Sequence, residues 1–412
     1  NSNFSISYDA PWLKGLSFKA TGAYDYSSSQ NKNLSTRYQT YAPNSAGQLI
    51  KYDDPESVQS NDLGSGQYTT EQMVGQFSVA YARSFGKHNI DAMALVEGRD
   101  YKYNSMAVYT EKIPFAGLPE ISMGSPAQGT SQSGYSGHTR TAGYVFRVKY
   151  DYNNTYLAEF SGRYDGSYNF SGNVSSKRWG FFPSFSAAWR MSNEKFMENT
   201  KSWLSDLKFR ASIGLLGNDA VSAYSFLSTY SFAGNRVFDG NVYNSLYTSS
   251  VANPELTWSK TRTSNLGFDI TLWDGKLGIE FDWFYNLNYD ILASMAGDKA
   301  PSMGGYYHSV ANHDRYANYG VEWTVSHRNK FQLGGKPFQY GASLNMTYAK
   351  SKWLRYLDQP NQQNWRKKVG TSVDACDVWI ADGLFRSEEE IVRLAPQRGR
   401  HQVQGPQRRR RH

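Results

Sequence analysis

The chain has 412 residues, of which 16% are aromatic and 19% charged, with a formal net charge of +8 and a mean hydropathy of -0.64. No stretch approaches the roughly 18 apolar residues of a membrane helix, which excludes an α-helical membrane protein. The single cysteine, Cys376, excludes an intramolecular disulfide and offers no paired thiolate, so we predict no metal and no cofactor.

Alternating apolar and polar residues predict about twelve β-strands, which come in pairs along the chain. In chain order the pairs are Asn3–Tyr8 with Leu16–Tyr26, Met73–Arg83 with Asn89–Tyr101, Arg140–Tyr150 with Thr155–Asp165, Trp179–Arg190 with Asp206–Leu216, Asn265–Leu272 with Leu277–Tyr285, and Asn318–Arg328 with Pro337–Ala349. Most pairs are joined by tight turns, and long polar connections run to about Thr70, to Thr139 and over Gly217–Lys260. Short turns that alternate with long loops are typical of outer-membrane barrels.

Two local irregularities are expected in the fourth pair. Its connection, Asn193–Leu204, is predicted to form a short helix. Pro183 lies within the strand Trp179–Arg190 and cannot donate to a ladder, so we expect a bulge or a local irregularity there.

The hairpin from Asn265 to Tyr285 shows most clearly that the sheet has two different faces. One face carries large apolar side chains, namely Leu266, Phe268, Ile270, Leu272, Leu277, Ile279, Phe281, Trp283 and Tyr285. The other face carries the carboxylates Asp269, Glu280 and Asp282. Carboxylates on one face fit a water-filled lumen, whereas a packed protein core would exclude them. The apolar face then looks onto acyl chains.

Aromatic residues on the outward set lie near strand ends, where they suit the two membrane interfaces. Examples are Tyr24, Tyr26, Tyr150, Tyr156, Trp189 and Trp283. A soluble β-sandwich also alternates, but its long connections occur at both ends of the sheets. The sequence therefore predicts an all-β fold, an antiparallel transmembrane β-barrel.

Several motifs resemble the central barrel of SusC/RagA-type TonB-linked outer-membrane receptors. They follow the family's order along residues 1–395: Gly162–Ser167, Lys177–Ser184, Ala187–Arg190, Leu207–Ser212, Gly217–Asp219, Asn253–Lys260, Ala381–Phe385 and Ser387–Ile391. The segment Val373–Trp379 departs from the family pattern, which raises the question of a sequence error there.

The resemblance implies a receptor in the bacterial outer membrane that imports nutrients too large for porins, typically oligosaccharides and sometimes peptides. It also implies two partners, a SusD-type surface lipoprotein that caps the barrel and a TonB complex that supplies energy. Asn1 is not a start, and we expect the plug domain and the TonB-contacting segment to precede it. Because receptors of this type close with about 22 strands, the resemblance implies that the barrel is incomplete here and that its plug domain is absent. The chain alone is therefore expected neither to insert stably nor to transport.

The C-terminal tail is unlike a barrel strand. Its four consecutive arginines, Arg408 to Arg411, would suggest a polyanion-binding arm. A DNA sequence that encodes the tail reads, one base later, Gly-Ile-Lys-Tyr-Lys-Asp-Leu-Asn-Gly-Asp-Gly-Val, which resembles the next block of the family. We therefore predict that 396–412 is a non-native, out-of-frame translation. Without its six arginines the net charge falls from +8 to +2, so the basic balance does not indicate nucleic acid binding. We divide the remainder into barrel strands with long extracellular loops, 1–349, and a further barrel or loop segment, 350–395.

The sequence contains few arrangements of residues that could be catalytic, and we predict that the chain is not an enzyme. His88 lies in a short turn, and His138, His308 and His313 lie in long loops. Glu280 and Asp282 are two residues apart on an inward strand face, as is expected of carboxylates that line any water-filled lumen. Ligand contacts are expected from aromatic residues of the long loops, without a single binding residue being assigned; the candidates are Tyr224, Phe226, Tyr230, Phe232, Phe238, Tyr243, Tyr247, Tyr306 and Tyr307. Two alternatives stay open: a soluble or surface glycan-binding or adhesive β-protein, and an outer-membrane barrel enzyme.

Overall fold

The structure is a computed structural model that describes residues 1–36, 38, 40–44, 46–52, 61–124, 130–222, 224–295, 310–359 and 362–376. Its strands are β1 (Ser2–Asp9), β2 (Leu16–Ser35), β3 (Thr40–Pro43), β4 (Leu49–Tyr52), β5 (Asp62–Phe85), β6 (His88–Thr110), β7 (Ser131–Tyr152), β8 (Tyr156–Ser167), β9 (Trp179–Arg190), β10 (Leu204–Asn218), β11 (Thr229–Phe238), β12 (Asn241–Ser250), β13 (Ser259–Leu272), β14 (Leu277–Ser294), β15 (Val310–Leu333) and β16 (Lys336–Arg355).

Twelve strands form one antiparallel sheet in the order β1-β2-β5-β6-β7-β8-β9-β10-β13-β14-β15-β16. This confirms the predicted all-β antiparallel sheet of about twelve strands. β3–β4 and β11–β12 are separate two-stranded hairpins that the sequence pattern did not predict. Within the described ranges the sheet is open, with β1 at one edge and β16 at the other.

Among the described residues, helical structure is confined to short connections. Ser175–Arg178 is a single α-turn, and Ile121–Met123, Met191–Asn193, Lys195–Thr200 and Asn364–Arg366 are 3-10 segments. The short helix predicted between β9 and β10 is present, but as two 3-10 segments. In the part of the chain described, no helix is both long enough and apolar enough to span a bilayer.

Tight turns join the strand pairs at one end of the sheet. Asn153 and Asn154 between β7 and β8 have φ values of 54° and 53°, and Gly334 and Gly335 between β15 and β16 have 59° and 76°. Successive residues with positive φ in tight turns match the right-handed twist of the strands they join. Asn and Gly tolerate that backbone, so these turns are encoded locally.

The first two long connections are shorter than the sequence predicted because the strands beside them extend beyond the alternating pattern. β2 and β5 stay paired as far as Ser35 with Asp62, and β6 and β7 stay paired as far as Tyr109 with Ser131. In these extensions outward positions become polar, as at Lys102, whereas the hydrogen-bonded ladder continues. The alternation of apolar and polar residues therefore marks only the part of each strand whose outward face is apolar.

The two faces of the sheet are as predicted. Large apolar side chains on the outward face stay exposed, for example Leu266, Phe185 and Phe4 at 53%, 48% and 67% of their surface. Phe268, Ile279 and Phe281 are part-exposed, and no second described layer covers them. A sandwich would bury these residues between two sheets, so the single sheet excludes that arrangement.

The irregularity expected at Pro183 is confirmed, but it is a loss of ladder pairing on one side of the strand and not a bulge. β9 pairs with β8 through Gly162 and Pro183 without a register shift, but its pairing with β10 ends at Ser184 with Gly214. Because proline lacks an N–H group, the ladder is lost on the β10 side only.

Beyond β16, the chain folds back along the free edge of that strand. Trp353 N donates to Thr371 O at 2.9 Å, and Gly370 N donates to Trp353 O at 2.8 Å. The motifs Ala381–Phe385 and Ser387–Ile391 and the tail 396–412 lie outside the described residues. The division at 349 and 395 and the out-of-frame origin of the tail stay predictions.

Candidate functional site

The inward face of β10, β13 and β14 carries a compact charge network centred on Arg210. Its guanidinium donates to both carboxylate oxygens of Asp282, at 2.6 and 2.7 Å, and from Nε to Asp269 at 3.1 Å. Lys208 Nζ approaches the second oxygen of Asp269 at 3.6 Å. Two of the three carboxylates that the sequence assigned to the lumen are therefore neutralised by cations of β10, and Glu280 stays exposed beside them.

Gly267 allows the guanidinium of Arg210 to lie this close to the sheet. A Cβ at this position would approach Phe281 O at 2.7 Å, Asp282 Oδ1 at 2.6 Å and Arg210 Cζ at 3.0 Å. Only a residue without a side chain leaves room for the fork between the arginine and the aspartate.

A second network occupies the inward face of β5–β8. The Glu97 carboxylate is 7% exposed and lies 3.0 Å from Arg99 Nε and 3.6 Å from Arg163. Gln76 donates to its other oxygen. Arg163 also forms a bidentate pair with Asp165, at 2.9 and 3.0 Å. Both networks lie on strand faces that the alternation pattern had assigned to water.

Between the two networks the inward face encloses a hollow of about 1130 Å³ near the tight turns. Its charged lining consists of Lys14, Arg83, Asp91, Lys149, Asp151, Glu159, Lys208 and Arg210. Residues from β5 through to β13 border one space, so the inward face is the concave one. Such a surface suits polar solutes or another polar protein segment and is unsuited to acyl chains.

Two of the resemblance motifs, Lys177–Ser184 and Asn253–Lys260, meet at the end of the sheet that carries the long loops. Trp258 Nε1 donates to Arg178 O and Thr257 Oγ1 donates to Lys177 O, each at 3.1 Å, and Lys177 Nζ contacts Glu255 at 2.9 Å. A small buried core packs beside them, made of Phe170, Phe182, Leu256 and Trp258. These motifs therefore hold the loop before β13 against the connection between β8 and β9.

The loop aromatics proposed as ligand contacts fall mainly on the hairpin β11–β12. Five of them are at least half exposed, namely Tyr230, Phe232, Phe238, Tyr243 and Tyr247. Phe232 pairs with Leu246 on one face, and Ser231 pairs with Tyr247 on the other, so both faces present apolar surface. Tyr224 packs edge-on against Tyr168, and Tyr306 and Tyr307 lie outside the described residues.

The histidines belong to structural contacts. His88 Nδ1 lies 2.7 Å from Tyr150 Oη, His138 Nε2 lies 2.9 Å from Asp100, and His313 Nδ1 lies 2.8 Å from Asp314. Within the ranges that the structure covers, none of these histidines hydrogen-bonds to a serine hydroxyl, and no group of three or more His, Cys, Asp or Glu side chains could hold a metal. His308 lies outside those ranges.

Sequence reasoning identified the inward carboxylates but missed their partners. Lys208, Arg210, Arg99 and Arg163 share the inward parity of their strands, and that parity was the available signal. Because a long loop separates β10 from β13, the sequence does not predict which residues of these two strands face each other.

A single curved sheet, apolar outside and charged inside, defines a membrane β-barrel protein. The family model described as "TonB dependent receptor-like, beta-barrel" matches residues 1–378. The chain belongs to this family of outer-membrane receptors and transporters.

Similar proteins agree with this assignment. TonB-dependent receptor P3 of Formosa agariphila is 27% identical over 87% of the chain and 33% of its own length. TonB-dependent receptor SusC of Bacteroides thetaiotaomicron is 28% identical over 66% of the chain and 26% of its own length. A structure of the RagAB peptide transporter matches 90% of the chain and 39% of its own chain, with a TM-score of 0.70 and 20% identity. The chain thus spans about a third or less of the curated relatives.

Proposed function

We propose that this chain forms barrel strands of a receptor that imports oligosaccharides across the bacterial outer membrane, powered by a TonB complex. The observation that carries the proposal is the two-faced sheet: Leu266, Phe268 and Phe281 face outward, whereas Lys208 and Arg210 line the hollow on the inward face. Only a barrel wall between lipid and a wet lumen stabilises both faces at once.

Two further parts of the receptor belong to the proposal. A plug domain, expected before Asn1, would occupy the charged lumen, and a SusD-type lipoprotein would cover the end with the long loops. The exposed aromatic rings of β11–β12 support this placement, because large apolar patches in water mark sites of contact. Flat rings with polar tips such as Tyr243 and Tyr247 also suit sugar faces.

Uptake by cells that produce the intact receptor tests the proposal. We expect a labelled oligosaccharide to accumulate inside wild-type cells and to stay outside when the receptor gene is deleted or the proton gradient is collapsed. A surface adhesin would bind sugar without accumulation and without dependence on the gradient. Preferential uptake of peptides of matched mass would refute the proposed substrate class while leaving the transporter in place.

The proposed lipoprotein partner needs its own measurement. We expect a surface lipoprotein to co-purify with the intact receptor in mild detergent. Deletion of 229–250 should release it, because that deletion removes the exposed aromatic hairpin. Deletion of the β3–β4 hairpin, 40–52, is the matched control, and equal release by both deletions would contradict the assignment.

A further inference from the structure

Basic side chains cluster on the outward face of β13–β16, at the end of the sheet with the long loops. Strand register defines successive outward rows, which are Leu266-Trp283-Val321-Tyr348, then Ser264-Tyr285-Tyr319-Lys350, then Arg262-Leu287-Ala317-Lys352, and then Lys260-Tyr289. The rows change from apolar, through tyrosine, to cationic. Arg315 joins the last row because its guanidinium lies 6.0 Å from the Tyr289 ring.

We name Lys260, Arg262, Arg315, Lys350 and Lys352 the outer basic cluster. Lys260 Nζ lies 5.9 Å from the same Tyr289 ring, and Lys350 Nζ lies 5.6 Å from the Tyr348 ring. Cations above tyrosine faces are held by the ring quadrupole. The tyrosines therefore connect the cluster to the apolar rows beneath it.

The outer basic cluster carries more cations than nearby carboxylates in the described residues. Lys260 contacts Asp290 at 3.4 Å, and the other four cations have no carboxylate partner in the part of the chain that the structure describes. The outward face of β6–β7 differs, because there Asp100 accepts from Arg140 at 2.7 Å and contacts His138 at 2.9 Å. Cations on neighbouring strands repel each other, and an external anion would relieve that repulsion.

The position of the cluster along the membrane normal indicates which anion could reach it. Each outward row lies two residues further along a tilted strand, which is about 5 Å along the membrane normal. Arg262 and Lys352 therefore lie about 10 Å beyond the row of Trp283, at the level of lipid headgroups when Trp283 marks the hydrocarbon boundary.

We propose that the outer basic cluster binds the phosphate groups of an anionic lipid in the outer leaflet, whose acyl chains pack on the apolar rows of β13–β16. The inference rests on the proposed outer-membrane placement. Lipid phosphates would complete the charge balance that the sheet lacks, and would anchor this side of the barrel at a defined height.

The test compares binding of two lipids by the intact receptor in mixed micelles. One is lipid A with its phosphates, and the other is the same lipid after dephosphorylation. We expect the wild type to prefer the phosphorylated form, and R262Q/R315Q/K352Q to reduce that preference by about 100-fold, as three cations near a charged surface would contribute. The variant R262K/R315K/K352R, which keeps the charge, should retain the preference.

A matched control removes three cations at the opposite end of the sheet. K276Q/K330Q/K336Q has the same charge change beside the tight turns and should keep the wild-type preference. Equal binding of both lipids by the wild type, or an unchanged preference in R262Q/R315Q/K352Q, would overturn the inference. Competition by inorganic phosphate or by a soluble acidic polysaccharide at the same concentration as the lipid would also overturn it. If the receptor lies in the outer membrane but shows no preference for the phosphorylated lipid, this inference alone is refuted. If the receptor is absent from that membrane, the proposed function is refuted.

Discussion

Replacing Arg210 with alanine should destabilise the barrel wall, because it removes the one side chain that joins Asp269 to Asp282. The bidentate contact with Asp282, at 2.6 and 2.7 Å, is shorter than the 3.1 Å contact with Asp269. The three side chains are 31%, 21% and 29% exposed for Arg210, Asp282 and Asp269 respectively. The network is thus partly shielded from water.

The expected magnitude follows from that partial shielding. Hydrogen bonds to charged groups contribute about 1.5–3 kcal/mol each when shielded, whereas an exposed ion pair contributes about 0–1 kcal/mol. We expect Arg210→Ala to lower the free energy of unfolding by about 2 kcal/mol, and the Arg210–Asp282 coupling energy to be about 1–2 kcal/mol. Arg210→Lys should recover less than half of the loss, since one ammonium cannot form the planar fork.

A double-mutant cycle measures this coupling energy. The intact receptor, its single variants Arg210→Ala and Asp282→Ala and the double variant are unfolded with urea in detergent micelles, with tryptophan fluorescence as the signal. Arg147 and Asp91 form the matched control, an inward pair with one contact of 3.0 Å and exposures of 34% and 44%. We expect about 0.5 kcal/mol for the control pair. A coupling energy for Arg210–Asp282 no larger than that of the control would refute the reasoning.

Three more predictions test other parts of the structure. Gly267→Ala should lower the free energy of unfolding by about 1–3 kcal/mol, because the new Cβ would meet the Phe281 carbonyl oxygen. Gly75→Ala is the control and should change that free energy by less than about 0.5 kcal/mol, because nothing lies within 4 Å of its Cβ position. Similar losses for both variants would be inconsistent with the close approach at Gly267. Trp258→Phe removes the Nε1 donor to Arg178 O and should speed proteolysis of the loop before β13, whereas Trp12→Phe, at a residue 69% exposed, should not. In a Cys376→Ser background, a nitroxide at Leu266→Cys in lipid vesicles should contact dissolved oxygen and one at Asp269→Cys should contact a water-soluble nickel complex; the reverse pattern would contradict the assignment of faces.

Local features of this chain could be predicted from the sequence because they depend on near neighbours. The alternation over Asn265–Tyr285 predicted the two faces. Turn-forming residues such as Asn153 and Gly334, which have positive φ in the structure, predicted the tight turns. Both signals come from residues within one hairpin. They were enough for the all-β sheet, the number of its strands and the inward carboxylates.

The partners of those carboxylates were decided by the tertiary structure. Arg210 meets Asp269 and Asp282 only because β10 lies beside β13, which begins some 40 residues later in the chain. The outer basic cluster likewise gathers Arg262, Arg315 and Lys352 from three strands that no single segment brings together. Hydropathy also fails in the extensions of β2 and β5–β7, where the ladder continues into water. A strand's own residues determine which side of the sheet they face, but inter-strand register across a long loop depends on the packing of the whole sheet.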